Sequence, residues 1–225
     1  MTANSATSAE LAGAANYTPL TLRLYDWYVT GLSNRYIWRC PVKRLLGLYE
    51  QHVSANHLDI GVGSGYLLDH CHFPVAAPKL TLLDLNPNSL AWTARRIARY
   101  SPRAVQGSVL APFPLTEKFD SIAMMYLLHC VPGPMHHKAP AFAHAARCLA
   151  DNGVLFGATV LAAGPHTRFL ERAYLAFLNR RRIFSNTDDT RENLEAALAD
   201  AFIETRIEVV GSVALFSARR PRSSV

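Results

Sequence analysis

Only four of the 225 residues are cysteine, and no two of them form a C-x-x-C pair. Cys40, Cys71, Cys130 and Cys148 sit among apolar neighbours. This excludes a zinc knuckle or a disulfide framework and makes a reducing cytoplasm the expected compartment. No His, Cys, Asp or Glu cluster has metal-ligand spacing, so no metal is expected. No apolar run approaches the roughly 18 residues of a membrane helix, and the start of the chain has neither a basic n-region nor an apolar h-region. A soluble, unexported protein that does not act at a membrane is the expectation. Internal repeats are absent. Excess charge of one sign is modest, at +6 with a pI near 9.3. Much of it lies in Arg180-Arg181-Arg182 and Arg219-Arg220-Pro221-Arg222, short clusters that read as solvated surface rather than as a nucleic-acid patch. Half of the residues are hydrophobic, which excludes a disordered chain and suits one domain with a sizeable core.

The chain is organised around His57-Leu58-Asp59-Ile60-Gly61-Val62-Gly63-Ser64-Gly65-Tyr66. An apolar strand end runs into three alternating glycines, and the apolar spacing of Leu67, Leu68 and Cys71 opens a helix behind them. Glycine lets backbone approach a ligand closely, and a helix start offers free N–H groups. The next strand candidate, Leu80 to Leu83, ends at Asp84, 19 residues past Gly65. A carboxylate at that distance suits both hydroxyls of a ribose, so the pattern reads as a nucleoside-cofactor site. The dinucleotide fingerprint wants a third glycine or alanine where this chain has Tyr66, which argues against a nicotinamide oxidoreductase.

The G-x-G-x-G run behind Asp59 resembles motif I of the class I S-adenosylmethionine-dependent methyltransferases. The resemblance covers about Pro41 to Ala218. It implies a Rossmann-like, doubly wound α/β fold: a mostly parallel seven-stranded sheet ending in an antiparallel hairpin, with an N-terminal helical lid. It also implies S-adenosylmethionine as cofactor and S-adenosylhomocysteine as product. The family's N/D-P-P-Y/F signature for amino methylation is missing, since the strand-four end reads Met125-Tyr126-Leu127-Leu128-His129. The expected partner is a small organic molecule with an O, N, S or C nucleophile, and no nucleic acid; the protein would be a monomer or homodimer. An RNA methyltransferase and a non-catalytic cofactor-binding partner protein remain the alternatives.

Periodicity divides the chain into a flexible tail over 1–16, an aromatic helical lid over 17–40 and the main domain over 41–225. Strands are expected at 56–60, 79–83, 104–106, 119–126, 154–161, 205–210 and 213–218. Helices are expected from Pro41, over 66–71, 89–100, 138–149, 167–183 and 191–202, with Asn152-Gly153 stopping the fourth. Alternating β and α segments give a parallel sheet covered on both faces.

In such sheets, ligands sit beyond the carboxyl ends of the strands. The expected cofactor residues are therefore Asp59, Gly61, Val62 and Gly63 after strand one; Asp84, Leu85 and Asn86 after strand two; Gly107, Ser108 and Val109 after strand three; and Tyr126 after strand four. Ser108 stands where the family usually has an aspartate that binds the adenine amino group. His129 is read in two ways. It is either a general base that takes the nucleophile's proton, with Tyr126 beside it in catalysis, or a residue that bonds backbone and shapes the pocket. His136 and His137 are expected on the surface. Tyr17, Tyr25 and Tyr28 of the lid can offer rings or hydroxyls to the sulfonium and the substrate, Tyr25 toward the cofactor. His166, with Phe169, Tyr174 and Phe177 behind it, would build the opposite wall.

Overall fold

The structure is a computed structural model, and it describes residues 33–164 and 167–222. Most of the expected lid lies outside these residues, as do Tyr17, Tyr25, Tyr28 and His166. Pro41 precedes the first helix, α1 (Val42–His52), which buries Leu45 and Tyr49. The strand–helix alternation follows: β1 (Asn56–Ile60), α2 (Tyr66–His70), β2 (Lys79–Asp84), α3 (Pro87–Arg96), β3 (Arg103–Gln106) and β4 (Phe119–Met125). Then come α4 (Met135–Lys138), α5 (Pro140–Cys148), β5 (Leu149–Val160), α6 (Phe169–Arg180), α7 (Arg191–Ala201), β6 (Phe202–Val210) and β7 (Val213–Pro221).

The seven strands form one sheet in the order β3-β2-β1-β4-β5-β7-β6. The first five are parallel, and β7 pairs antiparallel with both β5 and β6. Side chains alternate across a strand, and β4 shows the result. Ile122 and Met124 join a core with Phe142 and Ala145 of α5 and Leu194 and Leu198 of α7. Ala123 and Met125 join the opposite core with Tyr49 of α1, Leu90 of α3 and Leu175 of α6. Both faces being covered, the central strands are mostly apolar.

Several expected boundaries move, two of them for a visible reason. The fifth helix ends at Cys148, and β5 starts at once with Leu149, which pairs with Phe119 before a register shift. Asn152-Gly153 is thus an irregularity inside β5, not the stop of a helix. The helix expected over 89–100 starts at Pro87, because the Asn86 side chain caps it by accepting from the Asn88 N–H at 2.8 Å. Gly211-Ser212 does turn the closing hairpin, with Gly211 at φ +61°. Its Cα lies against the Trp38 carbonyl so closely that a Cβ would come within 2.0 Å of that oxygen.

Candidate cofactor site

The strand order reverses between β1 and β4, and a cavity of about 160 Å³ opens beyond the carboxyl ends of β1, β2 and β4. That space is many times what one water needs. The glycine loop is its floor. Gly61, Gly63 and Gly65 have φ of +73°, +53° and +71°, the left-handed region that side chains disfavour. At Gly65 a Cβ would also fall 2.7 Å from Thr93 Cγ2, so α2 and α3 can close on the loop only with glycine there. At Gly63 a Cβ would meet nothing within 4 Å. The backbone there faces open space, as a cradle for a ligand must.

Of the expected cofactor residues, Asp59, Gly61, Val62, Gly63, Asp84, Leu85, Asn86, Gly107, Val109 and Tyr126 all line this cavity. Ser108 does not. It is 2 % exposed, and its hydroxyl accepts the Leu110 N–H at 3.1 Å, shaping the turn after β3. Asn86 splits its role, since its side-chain oxygen is the cap of α3.

Asp84 ends β2 and accepts the Asn86 N–H at 2.8 Å. Burial pushes its carboxyl up to about 6, and the neighbouring Asp59 charge adds to this, while the N–H groups of Asn86, Gly63 and Val62 pull the other way. A carboxylate held where it is costly to ionise gains most from hydroxyl donors. Asp59 is 3 % exposed and accepts a hydrogen bond from the Tyr49 hydroxyl of α1. His57 stands 3.6 Å from the same oxygen and bonds Ser121 Oγ through Nδ1 at 2.8 Å. The sequence pointed to Asp59 but not to this buried Tyr49–Asp59–His57–Ser121 chain, because its members come from three separate elements.

Tyr126 leaves β4 at φ +56°, an uncommon conformation for a non-glycine residue. Its side chain bonds the Cys40 thiol, which burial pushes up to about 11. Tyr126 lines the cavity, where the sequence placed it.

His129 follows in a 3₁₀ turn, is 4 % exposed and is not among the cavity-lining residues. Its Nδ1 accepts the Val160 N–H at 3.2 Å and lies 3.3 Å from Thr159 Oγ1. A backbone N–H can only donate, so Nδ1 carries no proton and the neutral ring holds its hydrogen on Nε2. Burial, and then the Lys138 charge, hold the imidazole down to about 3. The general-base expectation is corrected: this ring is a neutral donor. Phe184 packs on it with centroids 4.3 Å apart, and Ser185 N–H donates to its carbonyl at 2.7 Å.

The 184–190 segment that covers His129 is anchored by a wholly buried pair the sequence did not reveal. Lys138 Nζ reaches both Asp189 oxygens at 2.8 and 2.7 Å and the Ser185 carbonyl at 2.6 Å. Asn186 adds bonds to the Val160 and Leu161 carbonyls at 3.0 and 3.2 Å. Of the residues expected in an opposite wall, Phe169, Tyr174 and Phe177 do not line the cavity: Tyr174 packs on Trp38 at 5.7 Å, and Phe169 is 82 % exposed. His136 and His137 are exposed. The carboxyl-terminal arginines are tied down: Arg220 pairs with Glu204 at 3.1 Å, and Arg222 donates to the Ala199 carbonyl at 2.7 Å. Among the described residues no helix is long and apolar enough to cross a membrane.

A doubly wound sheet with a left-handed glycine loop after β1 and a bare carboxylate ending β2 defines a nucleoside-cofactor-binding protein. Comparison with known proteins makes this specific. A family model described as a methyltransferase domain matches residues 58–155. The demethylluteothin O-methyltransferase of Streptomyces thioluteus is 44 % identical over 207 residues, covering 92 % of this chain and 90 % of that one. A physcion biosynthesis cluster O-methyltransferase of Aspergillus chevalieri is 40 % identical over 213 residues, covering 93 % and 96 %. Among solved structures, the N-methyltransferase NodS of Bradyrhizobium japonicum WM9, in complex with S-adenosylhomocysteine, shares the fold at a TM-score of 0.58. Its sequence identity is 19 %, over 80 % of this chain and 85 % of that one. The chain belongs to the class I S-adenosylmethionine-dependent methyltransferases. It is an enzyme that uses S-adenosylmethionine as methyl donor.

Proposed function

We propose that this enzyme methylates a hydroxyl oxygen of a small, largely apolar organic molecule of secondary metabolism, with S-adenosylmethionine seated across the ends of β1 and β2. The observation that supports the cofactor's seat is the Gly63 backbone, open to the cavity at φ +53°, with Asp84 on the same cavity. The residues fit that cofactor. Asp84 receives the ribose hydroxyls, Leu85 and Val109 flank the base, and the side-chain-free backbone of Gly61 and Gly63 lets the amino-acid arm approach closely. When bound, the cofactor supplies an electrophilic methyl on a sulfonium leaving group.

The rest of the work falls to this chain's walls. Met125, Tyr126, Leu127, Cys130, Val131 and Pro132 make the side of the cavity beyond β4 mostly apolar. Such a wall admits a neutral ring system, excludes water and aligns the acceptor for in-line displacement. His129, whose Nδ1 is occupied by Val160, stands behind this wall and takes no proton from the acceptor. An acidic hydroxyl, phenolic or enolic, ionises without a strong enzymic base and is therefore the acceptor that suits this site. The two relatives named above, both called O-methyltransferases, support the oxygen assignment.

The test is transfer of labelled methyl from S-adenosylmethionine to matched phenols, aromatic amines and thiols of one size. Methyl ethers formed from the phenols alone are expected. Methylated amines as the main products would overturn the oxygen assignment while leaving the cofactor site intact.

A further inference from the structure

Asn34 lines the cofactor cavity, is 0 % exposed, and neither its Nδ2 nor its Oδ1 has a hydrogen-bond partner among the described residues. A buried primary amide left without partners costs stability, and native structures rarely tolerate both of its polar atoms going unpaired. The side chain has not simply drifted there. The Asn34 carbonyl accepts the Cys40 N–H at 2.8 Å, and the Ser33 carbonyl accepts the Trp38 N–H at 2.9 Å. The Trp38 carbonyl in turn accepts the Ser212 N–H of the β6–β7 turn at 2.9 Å, and Arg39 pairs with Glu171 of α6 at 3.3 Å. The segment is clamped between the hairpin and α6 and presents its amide to the cavity.

Which ligand group it serves follows from where it stands and what surrounds it. Residues 33–40 lead directly into α1, whose Tyr49 bonds Asp59 at the end of β1. They brace against the β7 side of the sheet, whereas Asp84 ends β2 toward the β3 edge. Asn34 thus serves the glycine-loop end of the cavity, away from the ribose carboxylate. The charged side chains among the described lining residues are Asp59 and Asp84, both acids. A zwitterionic amino-acid arm brings one ammonium, which Asp59 suits, and one carboxylate, which needs donors that are not repelled. An amide supplies two N–H donors and one acceptor from the same planar group.

We propose that Asn34 is a cofactor-binding residue whose amide pairs with the α-amino-acid arm of the cofactor, its Nδ2 donating to the carboxylate. This rests on the S-adenosylmethionine reading above and extends it to a residue outside the glycine motif.

The experiment compares two ligands on one protein: S-adenosylhomocysteine, which has the amino-acid arm, and 5′-methylthioadenosine, which lacks it. In Asn34→Ala, S-adenosylhomocysteine should bind about 10-fold or more weaker, while 5′-methylthioadenosine binds as to the wild type. Asn34→Asp, near-isosteric but acidic, should weaken S-adenosylhomocysteine further, because it sets a third carboxylate against the ligand's own. Ligand-free Asn34→Ala should melt at or above the wild-type temperature, since an orphaned amide is removed; this readout also reports folding. Equal losses for both ligands would overturn the proposal, as would unchanged S-adenosylhomocysteine affinity with a raised KM for the methyl acceptor. Failure of the wild type to bind either ligand would instead defeat the cofactor reading itself.

Discussion

The Val160 backbone N–H donates to Nδ1 of His129 across 3.2 Å, and this contact decides what His129 can do. With Nδ1 occupied, the proton of the neutral ring belongs to Nε2, so the residue best placed by sequence to act as base is a donor.

The pH behaviour of His129 follows. Burial lowers its folded pKa to about 3 from the ordinary 6.5. Between those values the unfolded chain binds a proton that the folded protein does not, so the contribution of this residue to stability is lost as pH falls from 6.5 toward about 3. The slope is about 1.4 kcal/mol per pH unit where the difference is complete. Nitrogen chemical shifts across a titration should show the Nε2–H tautomer unchanged through pH 5. A ring titrating near 6.5 would contradict the assignment.

Asp84 carries the opposite sign. Its folded carboxyl is raised to about 6, so the ligand-free protein gains stability from this group as pH falls through 6 toward the ordinary carboxylate range. Ribose hydroxyls need the ionised form, and S-adenosylhomocysteine affinity should therefore drop below pH 6. At pH 8, Asp84→Ala should weaken binding by about 1–3 kcal/mol. Calorimetry at pH 5, 6 and 8 checks both statements, and affinity independent of pH and of the substitution would remove Asp84 from the site.

The buried Lys138–Asp189 pair makes a stability prediction. Each side chain is wholly inaccessible and finds its counter-charge in the other, 2.7 Å away. Lys138→Met should cost about 3–5 kcal/mol, because it strands a buried carboxylate. Adding Asp189→Leu should restore much of the loss. Urea unfolding of the single and double variants measures this, and additive losses would show that the charges do not compensate one another.

How much of this was legible in the sequence depended on how local each signal was. β1 falls on 56–60 as expected, because an apolar run stops at a glycine loop, and the loop itself declares a ligand. Asp84 was readable because spacing alone sets it after β2. β5 began five residues early, since its first pairing, Leu149 with Phe119, precedes a register shift that no periodicity encodes. Asn34 carries no local signal of a ligand role, and Lys138 only begins an expected helix. One matters through a cavity assembled from β1, β2 and β4, the other through a residue 51 positions away. Ser108 lies after β3 where spacing set it, and its hydroxyl accepts the Leu110 N–H, a contact that no spacing encodes.

The most direct test of the central claim is a calorimetric titration of the purified protein with S-adenosylhomocysteine, with NADH as control. The account predicts one site of micromolar affinity for S-adenosylhomocysteine and no heat of binding with NADH. Saturable NADH binding without S-adenosylhomocysteine binding would contradict it, because the loop ending in Tyr66 would then be cradling a pyrophosphate.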